Sequence, residues 1–580
     1  MAEYQNPQHE PGSERRLLLV FLVTFVLMLA AQPLLKKYFP TPPPPKEQPA
    51  QAVGTTPPAP PEQAAAPAAE PAVAPKVAAK QASSETETVI ENDLYRITFT
   101  NRGAHVKSWI LKKYDNDAEN GPLDLVNPAA APQYGFPLSL WTYDPDLRTK
   151  LDSALYVSNS EGKQTTPATI TFEYAGQDVA VRKTFSFDDS YIVKVETSVT
   201  SKGAPVPALP AWPSGFGDQT TPAFYAAGLI DYQYNKNIER VAIKKISGGA
   251  TLPGPFHWAG PTDQYFAAVF IPDDPASVAM VTLRNPLSVP RDPKEKDKEK
   301  TNVDVVGAAV GNLHGPTSER IFVGPKELGV LQKIPVPGVS DSDLNGLVDF
   351  GWLGPIAKPL FIWLRWTYYH MVPNWGWAIV LQTLIISILL MPLRVYQIHS
   401  MYKMQKIAPQ MKAIQDKYKK YSMRDPRKQE MQKEIYALQQ QEGANPLAGC
   451  LPMLIQMPFL FAYYRMLGTA LDLRHAQWLW VHDLSAADPI YVLPVLMVIS
   501  SLVTQKMTPQ AGMDPQQQKM MNVMMPLMMG FIFFRLAAGL NLYYAVVNLI
   551  GIAQQAVMNR TRQGREMREL MEKRARKKDK

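Results

Sequence analysis

The pattern of apolar and polar positions changes twice along the chain. Residues 17–35 form a continuous apolar segment that follows two arginines and is long enough for one crossing of a bilayer. From residue 88 to residue 340, apolar and polar positions alternate and are interrupted by Gly, Asn and Asp, which predicts β-strands joined by turns. Beyond residue 340, long apolar segments return. The pattern therefore predicts a membrane anchor, a β domain and a helical membrane region.

The first apolar segment is predicted to be an uncleaved transmembrane helix. Its apolar run is long for a signal peptide, and Ala30-Ala31-Gln32 is a poor cleavage site, so anchoring is favoured over removal as a signal sequence. Residues 1–16 then form a short cytoplasmic N-terminus. Residues 36–87 are rich in Pro, Ala and Gln, a composition that cannot bury a core, and we expect an extended linker there.

The alternating region 88–340 is predicted to be an all-β sandwich. Its stretch ATITFEYAGQDVAVRKTFSFDDSYIVKVETSVTS, residues 168–201, shows strand following strand with little helical periodicity. No metal-ligand cluster and no pairing of a nucleophile with a base stands out in its sequence. We therefore expect neither enzyme activity nor a cofactor.

The region after residue 340 is predicted to be helical and embedded in the membrane. Residues 355–371 mix aromatic side chains with Lys358, Arg365 and His370, which is typical of an amphipathic helix lying at the membrane interface. Five apolar segments follow, at 374–393, 447–469, 489–505, 521–537 and 539–558. Together with the first anchor they make six predicted transmembrane helices.

The distribution of Lys and Arg predicts the orientation of these helices. Basic residues are concentrated in the connection 394–446 and in the tail 559–580, whereas the loop 470–488 carries only Arg474. Positively charged segments remain in the cytoplasm, so both termini and the loop 506–520 are expected there and the β domain on the outer side of the membrane. The net charge of +8 then reflects membrane topology and not specific nucleic-acid binding.

The long cytoplasmic connection is predicted to be an antiparallel helical hairpin. Its first helix carries an apolar heptad stripe: Met404, Ile407, Met411, Ile414, Tyr418 and Tyr421. A second helix is expected to begin at Asp425 as N-cap and Pro426, and to present Met431, Ile435 and Leu438 on one face. Basic residues occupy the outer surface: Lys412, Lys419, Lys420 and Arg427. The hairpin either packs only on itself or also meets anionic lipid, a ribosome or a nascent chain.

Polar residues recur within the apolar segments. Helical spacing places Thr383, Ser387 and Arg394 on one face of the second span, and Asn541, Tyr544 and Asn548 on one face of the last span. Such groups either hydrogen-bond helices to one another or line a hydrated cavity. A whole stripe on each of two helices, with Gln456 on a third, favours the cavity. Pro452 and Pro458 bend that third helix and would leave an open groove.

The motifs of this region resemble the YidC family of membrane protein insertases. They are NWGWAIV and MPLR in the second span, KMQKIAPQMKAIQDKY in the hairpin, NPLAGCLPMLIQMP in the third span, WLWVHDLSAADP in the outer loop, MDPQQQKMM before the fifth span and GLNLYYAVVNL in the last. TNRGAHVKSW also resembles the start of the family's periplasmic β domain.

The resemblance implies a multi-pass protein of a bacterial inner membrane, with the β domain in the periplasm and a five-helix insertase core that needs no nucleotide, metal or other cofactor. Its clients would be nascent membrane proteins, which would enter the bilayer along a hydrophilic groove, either alone or beside the Sec translocon. The family's groove residues map onto Thr383 and Tyr544. Family members usually carry an arginine at the position of Ser387, so the charge is missing there. Either Arg394 reaches back along the groove to supply it, or this protein relies on hydroxyl and amide groups alone.

Two other functions remain open from the residues alone. Mid-membrane polar stripes also serve secondary transporters, although the sequence shows no internal duplication of the kind that transporters usually have. A membrane-anchored periplasmic glycan-binding protein would use the β sandwich but would leave five spans without a role.

Overall fold

The computed structural model describes residues 79–569, with gaps at 118, 218–227, 236, 291–299, 337–343, 422–424, 445–450, 508–522, 563 and 567–568. The side chains of residues 451–456 and 525 are not described either. Several predictions therefore lie outside the described residues: the N-terminus 1–16, the anchor 17–35, most of the linker 36–87, nearly all of the loop 506–520 and the end of the basic tail.

Strands fill the region for which alternation predicted them. They are β1 (Glu87–Glu91), β2 (Tyr95–Thr100), β3 (His105–Asp115), β4 (Pro122–Asp124), β5 (Ser139–Trp141), β6 (Val157–Ser158), β7 (Gly162–Thr165), β8 (Ala168–Ala175), β9 (Val179–Phe187) and β10 (Ile192–Ser201). There follow β11 (Ala204–Pro205), β12 (Leu209–Trp212), β13 (Leu229–Tyr234), β14 (Asn237–Ala242), β15 (Thr251–Pro253), β16 (Phe256–Thr262), β17 (Phe266–Pro272), β18 (Val278–Pro290), β19 (Lys300–Asn312) and β20 (Thr317–Pro325). Three short helices accompany them: α1 (Ala131–Tyr134), α2 (Pro145–Ser153) and α3 (Leu328–Leu331). The prediction of a β-rich domain is confirmed.

The strands form three sheets around an apolar core. The first sheet has the order β4-β3-β2-β1-β7, and the third has the order β15-β18-β19-β12-β5. The largest sheet runs β14-β13-β16-β17-β20-β10-β9-β8-β6, with β11 beside β10. Phe99 of the first sheet packs against Phe172 and Phe185 of the largest, with ring centroids 6.0 and 5.0 Å apart. Alternate residues of each strand therefore point into a shared interior, as the alternation predicts.

A buried lysine joins two turns of the β domain. Lys183 of β9 is fully buried and donates to the carbonyl oxygens of Gly103 (3.0 Å), Ala104 (2.7 Å) and Leu138 (2.8 Å). Ala104 and Leu138 have φ values of 46° and 62°, which residues with a side chain seldom adopt. The three hydrogen bonds of the ammonium hold these unfavourable turns in place.

The helical region begins directly after the β domain. Its helices are α4 (Gly354–His370), α5 (Trp375–Leu389), α6 (Met391–Lys417), α7 (Arg427–Gln441), α8 (Leu451–Thr469), α9 (Val492–Met507), α10 (Met525–Phe533) and α11 (Ala538–Arg560). Asn374 is the N-cap of α5, because its side chain accepts a hydrogen bond from the Trp377 N–H. The break between α5 and α6 is a single residue, Leu390, followed by Pro392 in the first turn of α6.

The described helices differ in how well they match a membrane crossing. Within the described residues, no single helix has both the length and the hydropathy of a full span. The segments Gly351–His370 and Trp375–Leu389 meet those criteria only together, with a bend of 120° between them, and Val492–Met507 is a shorter apolar helix. The count of six transmembrane helices stays a prediction.

Arginines of the helical region bind acids of the β domain and of the segment that follows it. The pairs are Arg365 with Glu327 (3.1 Å), Arg465 with Asp349 (2.8 Å) and Arg474 with Asp117 (2.8 Å). Arg365 also lies 3.7 Å from Asp472, and burial raises the pKa of that carboxyl to about 6, against the opposing effect of Arg365. These contacts hold the β domain against one end of α4 and α8, which we call the outer end of the helical region.

The helices α6 and α7 pack antiparallel, at the opposite, inner end. Ile407 and Met411 of α6 form an apolar cluster with Ile435 of α7 and Ala444 beyond it, as the heptad stripe predicts. The start of α7 differs from the prediction by one residue: the helix begins at Arg427, with Asp425 accepting the Arg427 N–H at 3.0 Å.

The base of the hairpin is attached to the last helix. The Tyr402 hydroxyl donates to Asn559 Oδ1 at 3.0 Å, and Gln555 donates to the same oxygen at 2.9 Å. Ile398 and Tyr402 also pack against Met558. The first part of α6 is therefore fixed to the end of α11.

A buried histidine predicts how the stability of the β domain depends on pH. His105 is 8% exposed and stacks on Phe136 with centroids 4.7 Å apart. Burial, with a smaller effect of Lys183, lowers the pKa of His105 to about 3, against about 6.5 in the unfolded chain. Between these values the unfolded state binds the extra proton, so stability present at pH 7 is lost as the pH falls from 6.5 towards 3.

We expect His105→Phe to remove roughly 3 kcal/mol of the destabilisation between pH 7 and pH 4. The measurement is the unfolding midpoint of the full chain in detergent at both pH values, followed by tryptophan fluorescence. His314→Phe, on an exposed turn, is the control and should keep the parent's pH dependence. An unchanged pH dependence in His105→Phe would show that this histidine does not control the response.

Candidate functional site

The predicted groove residues lie where α5, α8 and α11 meet. These helices share one continuous apolar cluster, which includes Ile379, Tyr463 and Tyr543. The outer end of this bundle is the end at Trp375, Thr469 and Ala538, and the inner end leads to the hairpin. The polar side chains divide into two groups along this axis.

The outer half of the bundle is closed by a hydrogen-bonded pair. Gln382 accepts from the Tyr463 hydroxyl at 2.6 Å and donates to the carbonyl oxygen of Leu360 at 2.9 Å. The Tyr463 ring stacks on Tyr543 with centroids 4.1 Å apart and planes 13° from parallel. Both tyrosines and the glutamine are buried, and the Tyr463 hydroxyl and the Gln382 amide are hydrogen-bonded within the protein.

Two of the predicted groove residues belong to this closed half. Thr383 is buried and donates to the Ile379 carbonyl oxygen at 2.6 Å, within its own helix. Asn541 is also buried, and its amide group donates to the carbonyl oxygens of Phe533 (3.0 Å) and Leu536 (3.2 Å). It closes the turn between α10 and α11. In this conformation neither side chain faces an open groove.

Asn548 joins two helices. Its amide donates to the hydroxyls of Ser500 (3.1 Å) and Ser501 (2.9 Å) on α9. This is the helix-joining role that polar groups in membrane bundles often have. One member of the predicted stripe thus serves packing between α9 and α11.

The partly exposed members of the two polar stripes begin beside the closed layer and continue inward. Ser387 lies one turn inward of Thr383 and is half-buried. Tyr544 directly follows Tyr543 of the closed layer and is also half-buried, with its ring centroid 5.1 Å from that of Phe533. Asn548, one turn farther inward, is half-buried as well. Solvent or a ligand can reach the stripes at these positions.

Arg394 brings a positive charge to the inner half of the bundle. The half-buried guanidinium donates to Gln397 at 3.1 Å and lies against α11 at Gly551, where an added Cβ would be 3.6 Å from its Nη2. Among the ion pairs of the described residues, none joins Arg394 to a carboxylate. Gly551 follows Tyr544 by seven positions and therefore lies on the same face of α11. The Arg394 guanidinium therefore lies beside the stripe of α11 two turns inward of Tyr544, and its reach back to the level of Ser387 stays a prediction.

Some predicted residues are placed only in outline. Gln456 lies in the inner half of α8, and its side chain is outside the described residues. Lys412, Lys419, Lys420 and Arg427 are exposed on the hairpin, and the Arg427 guanidinium lies 4.0 Å from the centre of the Tyr421 ring. Tyr463, Tyr543 and Gly551 were missing from the predicted site. Only Gly551 has a usable sequence signal, its spacing from Tyr544, because pairing of Tyr463 with Gln382 depends on helix packing.

Comparison with known proteins gives consistent matches over almost the whole described chain. A family model described as the YidC periplasmic domain matches residues 87–363, and one described as the 60Kd inner membrane protein matches residues 366–566. The chain is 30% identical to the membrane protein insertase YidC of Geobacter sp. (strain M21), over 82% of this chain and 86% of the relative. Identity to the membrane protein insertase YidC of Cupriavidus necator is 32%, over 88% of this chain and 86% of the relative.

A solved crystal structure of an active YidC insertase, with its first transmembrane domain resolved, is also similar. It aligns with 20% sequence identity over 83% of this chain and 95% of that chain, with a TM-score of 0.35.

The division of the bundle predicts different reactivities for two neighbouring positions on α5. In a Cys450→Ser background, which removes the chain's one cysteine, we expect Ser387→Cys to react with a small water-soluble maleimide. Thr383→Cys should react more slowly by a factor of about ten or more, because a buried thiol reacts only when the structure opens locally. Labelling rates in native membranes test this. Equal rates at the two positions would contradict a closed outer half.

Proposed function

The chain belongs to the YidC family of membrane protein insertases, and from this premise we propose that it moves apolar segments of nascent proteins into the bilayer along the inner half of its helical bundle. It is a membrane protein with a periplasmic domain, formed by the β sheets. The observation that carries the proposed route is the contrast between the closed outer layer at Gln382 and the partly exposed Ser387, Tyr544 and Arg394.

This contrast lowers the barrier to insertion. Polar groups that flank an apolar segment are costly to place in hydrocarbon, and a hydrated inner half shortens the distance over which they lose water. Once the apolar segment leaves the groove sideways, its burial in lipid contributes about 25 cal/mol for each Å² removed from water. No covalent bond is made or broken in this process, and we assign no catalytic residue.

The helices beside the groove offer an apolar surface for the sideways step. Exposed apolar side chains lie on α5 at Ile385 and Ile388, and on α10 at Leu527, Met528 and Phe531. Methionine is flexible and polarizable, so it can contact client segments of different shapes. An entering segment therefore meets polar groups on one side and apolar groups on the other.

Arg394 supplies the groove's positive charge in place of the residue at position 387. Its guanidinium is half-buried against α11 and is not used in an ion pair of the described residues. A cation in this setting attracts the polar and acidic residues that flank a client segment.

We further propose that both termini and the hairpin are cytoplasmic and that the hairpin's basic surface meets the delivery partners. Exposed Lys412, Lys419 and Lys420 suit anionic lipid or ribosomal RNA at the site of synthesis. The Sec translocon is a proposed partner in the membrane. Family membership does not favour the secondary-transporter or glycan-binding alternatives.

Photocrosslinking tests the route directly. A photoreactive amino acid at Tyr544 should form adducts with a stalled nascent chain of a single-spanning membrane protein, and the adducts should move along the client as it lengthens. The matched control is the adjacent buried residue Tyr543, at which we expect little crosslinking. Equal adducts at the two positions, or labelling at Tyr544 by small solutes only, would contradict the proposed route.

A charge-relocation experiment tests the role of Arg394. We expect Arg394→Ala to slow insertion roughly tenfold, which corresponds to the loss of a charged hydrogen bond worth about 1.5 kcal/mol. Adding Ser387→Arg should restore much of the rate, since it returns a positive charge to the same face of the groove, about two helical turns farther out. Arg560→Ala, at the exposed end of α11, is the control and should leave the rate unchanged. Insertion of a reporter protein into inverted membrane vesicles measures each variant, and full activity of Arg394→Ala would overturn this role.

A further inference from the structure

The loop between α8 and α9 crosses the outer end of the bundle and pairs with the start of α11. Within the loop, the Leu484 N–H donates to the Ala476 carbonyl oxygen at 3.0 Å. The Gly539 N–H then donates to the Leu484 carbonyl oxygen at 2.8 Å, and the Ala538 N–H donates to that of Ala486 at 2.6 Å. An added Cβ on Gly539 would lie 3.6 Å from the side chain of Ile379. The loop therefore rests directly above the buried layer of α5.

The side chain of Trp478 packs against the backbone of α5 at Gly376. A Cβ added to Gly376 would come within 2.1 Å of the Trp478 indole ring, so the ring occupies the space where any other residue would place its side chain. Trp377 packs against the same indole with ring centroids 5.7 Å apart. The Asn374 amide donates to the Gln477 carbonyl oxygen at 2.9 Å beside it. One indole thus connects the loop to the first turn of α5.

The far end of the loop is fixed to α9 by a buried aspartate. Asp488 accepts the backbone N–H of Leu493 at 2.7 Å and that of Ile490 at 3.2 Å, which caps the start of α9. The Trp480 indole N–H donates to the same carboxylate at 3.2 Å. Val481 and Leu484, between these anchors, are fully buried. The loop is held by α5, α9 and α11 together.

The loop also touches the β domain, through different residues. Arg474 pairs with Asp117 at 2.8 Å, and the side chain of Asp117 is 60% exposed. The Tyr265 hydroxyl hydrogen-bonds Ser485. The Arg474 guanidinium also lies 5.9 and 5.6 Å from the ring centres of Tyr265 and Phe266. None of these contacts involves Trp478, whose buried indole contributes a large packed area on Gly376.

We propose that Trp478, seated on Gly376, is the positioning residue that keeps the outer end of the bundle closed, so that the groove opens only towards the inner side. This inference rests on the proposed function for its meaning, because a one-sided opening matters only to a protein that receives segments from that side. The contact between Trp478 and Gly376 joins the loop to the membrane helices and does not depend on the β-domain contacts.

The experiment measures closure separately from insertion. A cysteine at Ile379, directly beneath the loop, is placed in a Cys450→Ser background and exposed to a membrane-impermeant thiol reagent from the outer side of sealed membranes. The parent should be protected. Trp478→Ala and Gly376→Ala should each raise the outer labelling rate about tenfold or more, because each removes the indole from its seat and favours loop opening.

Three further variants make the result specific. Trp478→Phe should restore most of the protection, since a ring can still pack on Gly376. Leu479→Ala changes an adjacent side chain that is 64% exposed, and Asp117→Ala breaks the β-domain ion pair; both should remain protected. Correct folding is checked by size-exclusion chromatography and by the thermal unfolding midpoint, and if Trp478→Ala fails to fold, Gly376→Ala and Trp478→Phe decide.

Continued protection in folded Gly376→Ala would overturn the proposal, as would equal labelling of Leu479→Ala or Asp117→Ala. Failure of the proposed function gives a different pattern: no nascent-chain adducts at Tyr544, with outer labelling still controlled by Trp478. The two claims can therefore fail independently.

Discussion

The hydrogen bond from Tyr463 to Gln382 closes the outer half of the helical bundle, and the arrangement of the remaining polar groups depends on it. Gln382 uses its amide group on the Leu360 carbonyl oxygen, so the same side chain ties α8 and α5 to the helix α4. A buried polar group in hydrocarbon is costly unless it is paired. Gln382 and Tyr463 are paired with each other, whereas the partly exposed Ser387 and Arg394 lie in the inner half, where water can satisfy them.

The β domain contributes to this asymmetry through charge. Three arginines of the helical region form ion pairs with acids of the β domain or of the segment that connects it to α4: Arg365, Arg465 and Arg474. Each arginine lies at the outer end, so the pairs add contacts only there. The inner end has no comparable attachment to the β domain among the described residues and connects instead to the hairpin. A domain on one face and a hairpin on the other give the bundle two different ends.

Periodicity predicted which residues share a face, and it did so well where the partner lies nearby in the chain. Ile407, Met411 and Ile435 form the hairpin core as their spacing indicates, because α6 and α7 are joined by a short connection. It could not predict depth. Thr383 and Ser387 are on one face, yet one is buried and the other half-buried, since only packing of α8 and α11 decides where the closed layer ends. Asn548 likewise found hydroxyls on α9 that no pattern within α11 reveals. The first helix and the side chain of Gln456 stay predictions.

The attachment of Tyr402 to Asn559 has a mechanical consequence. Between Arg394 and Tyr402, α6 is fastened to α11, whereas Pro409 lies farther along the same helix and removes one of its backbone hydrogen bonds. Bending of α6 is therefore easier beyond Tyr402, near Pro409, than in the part that is attached to α11. A partner that pulls on the distal hairpin therefore strains α6 beyond Tyr402 first, and the guanidinium of Arg394 keeps its place beside Gly551.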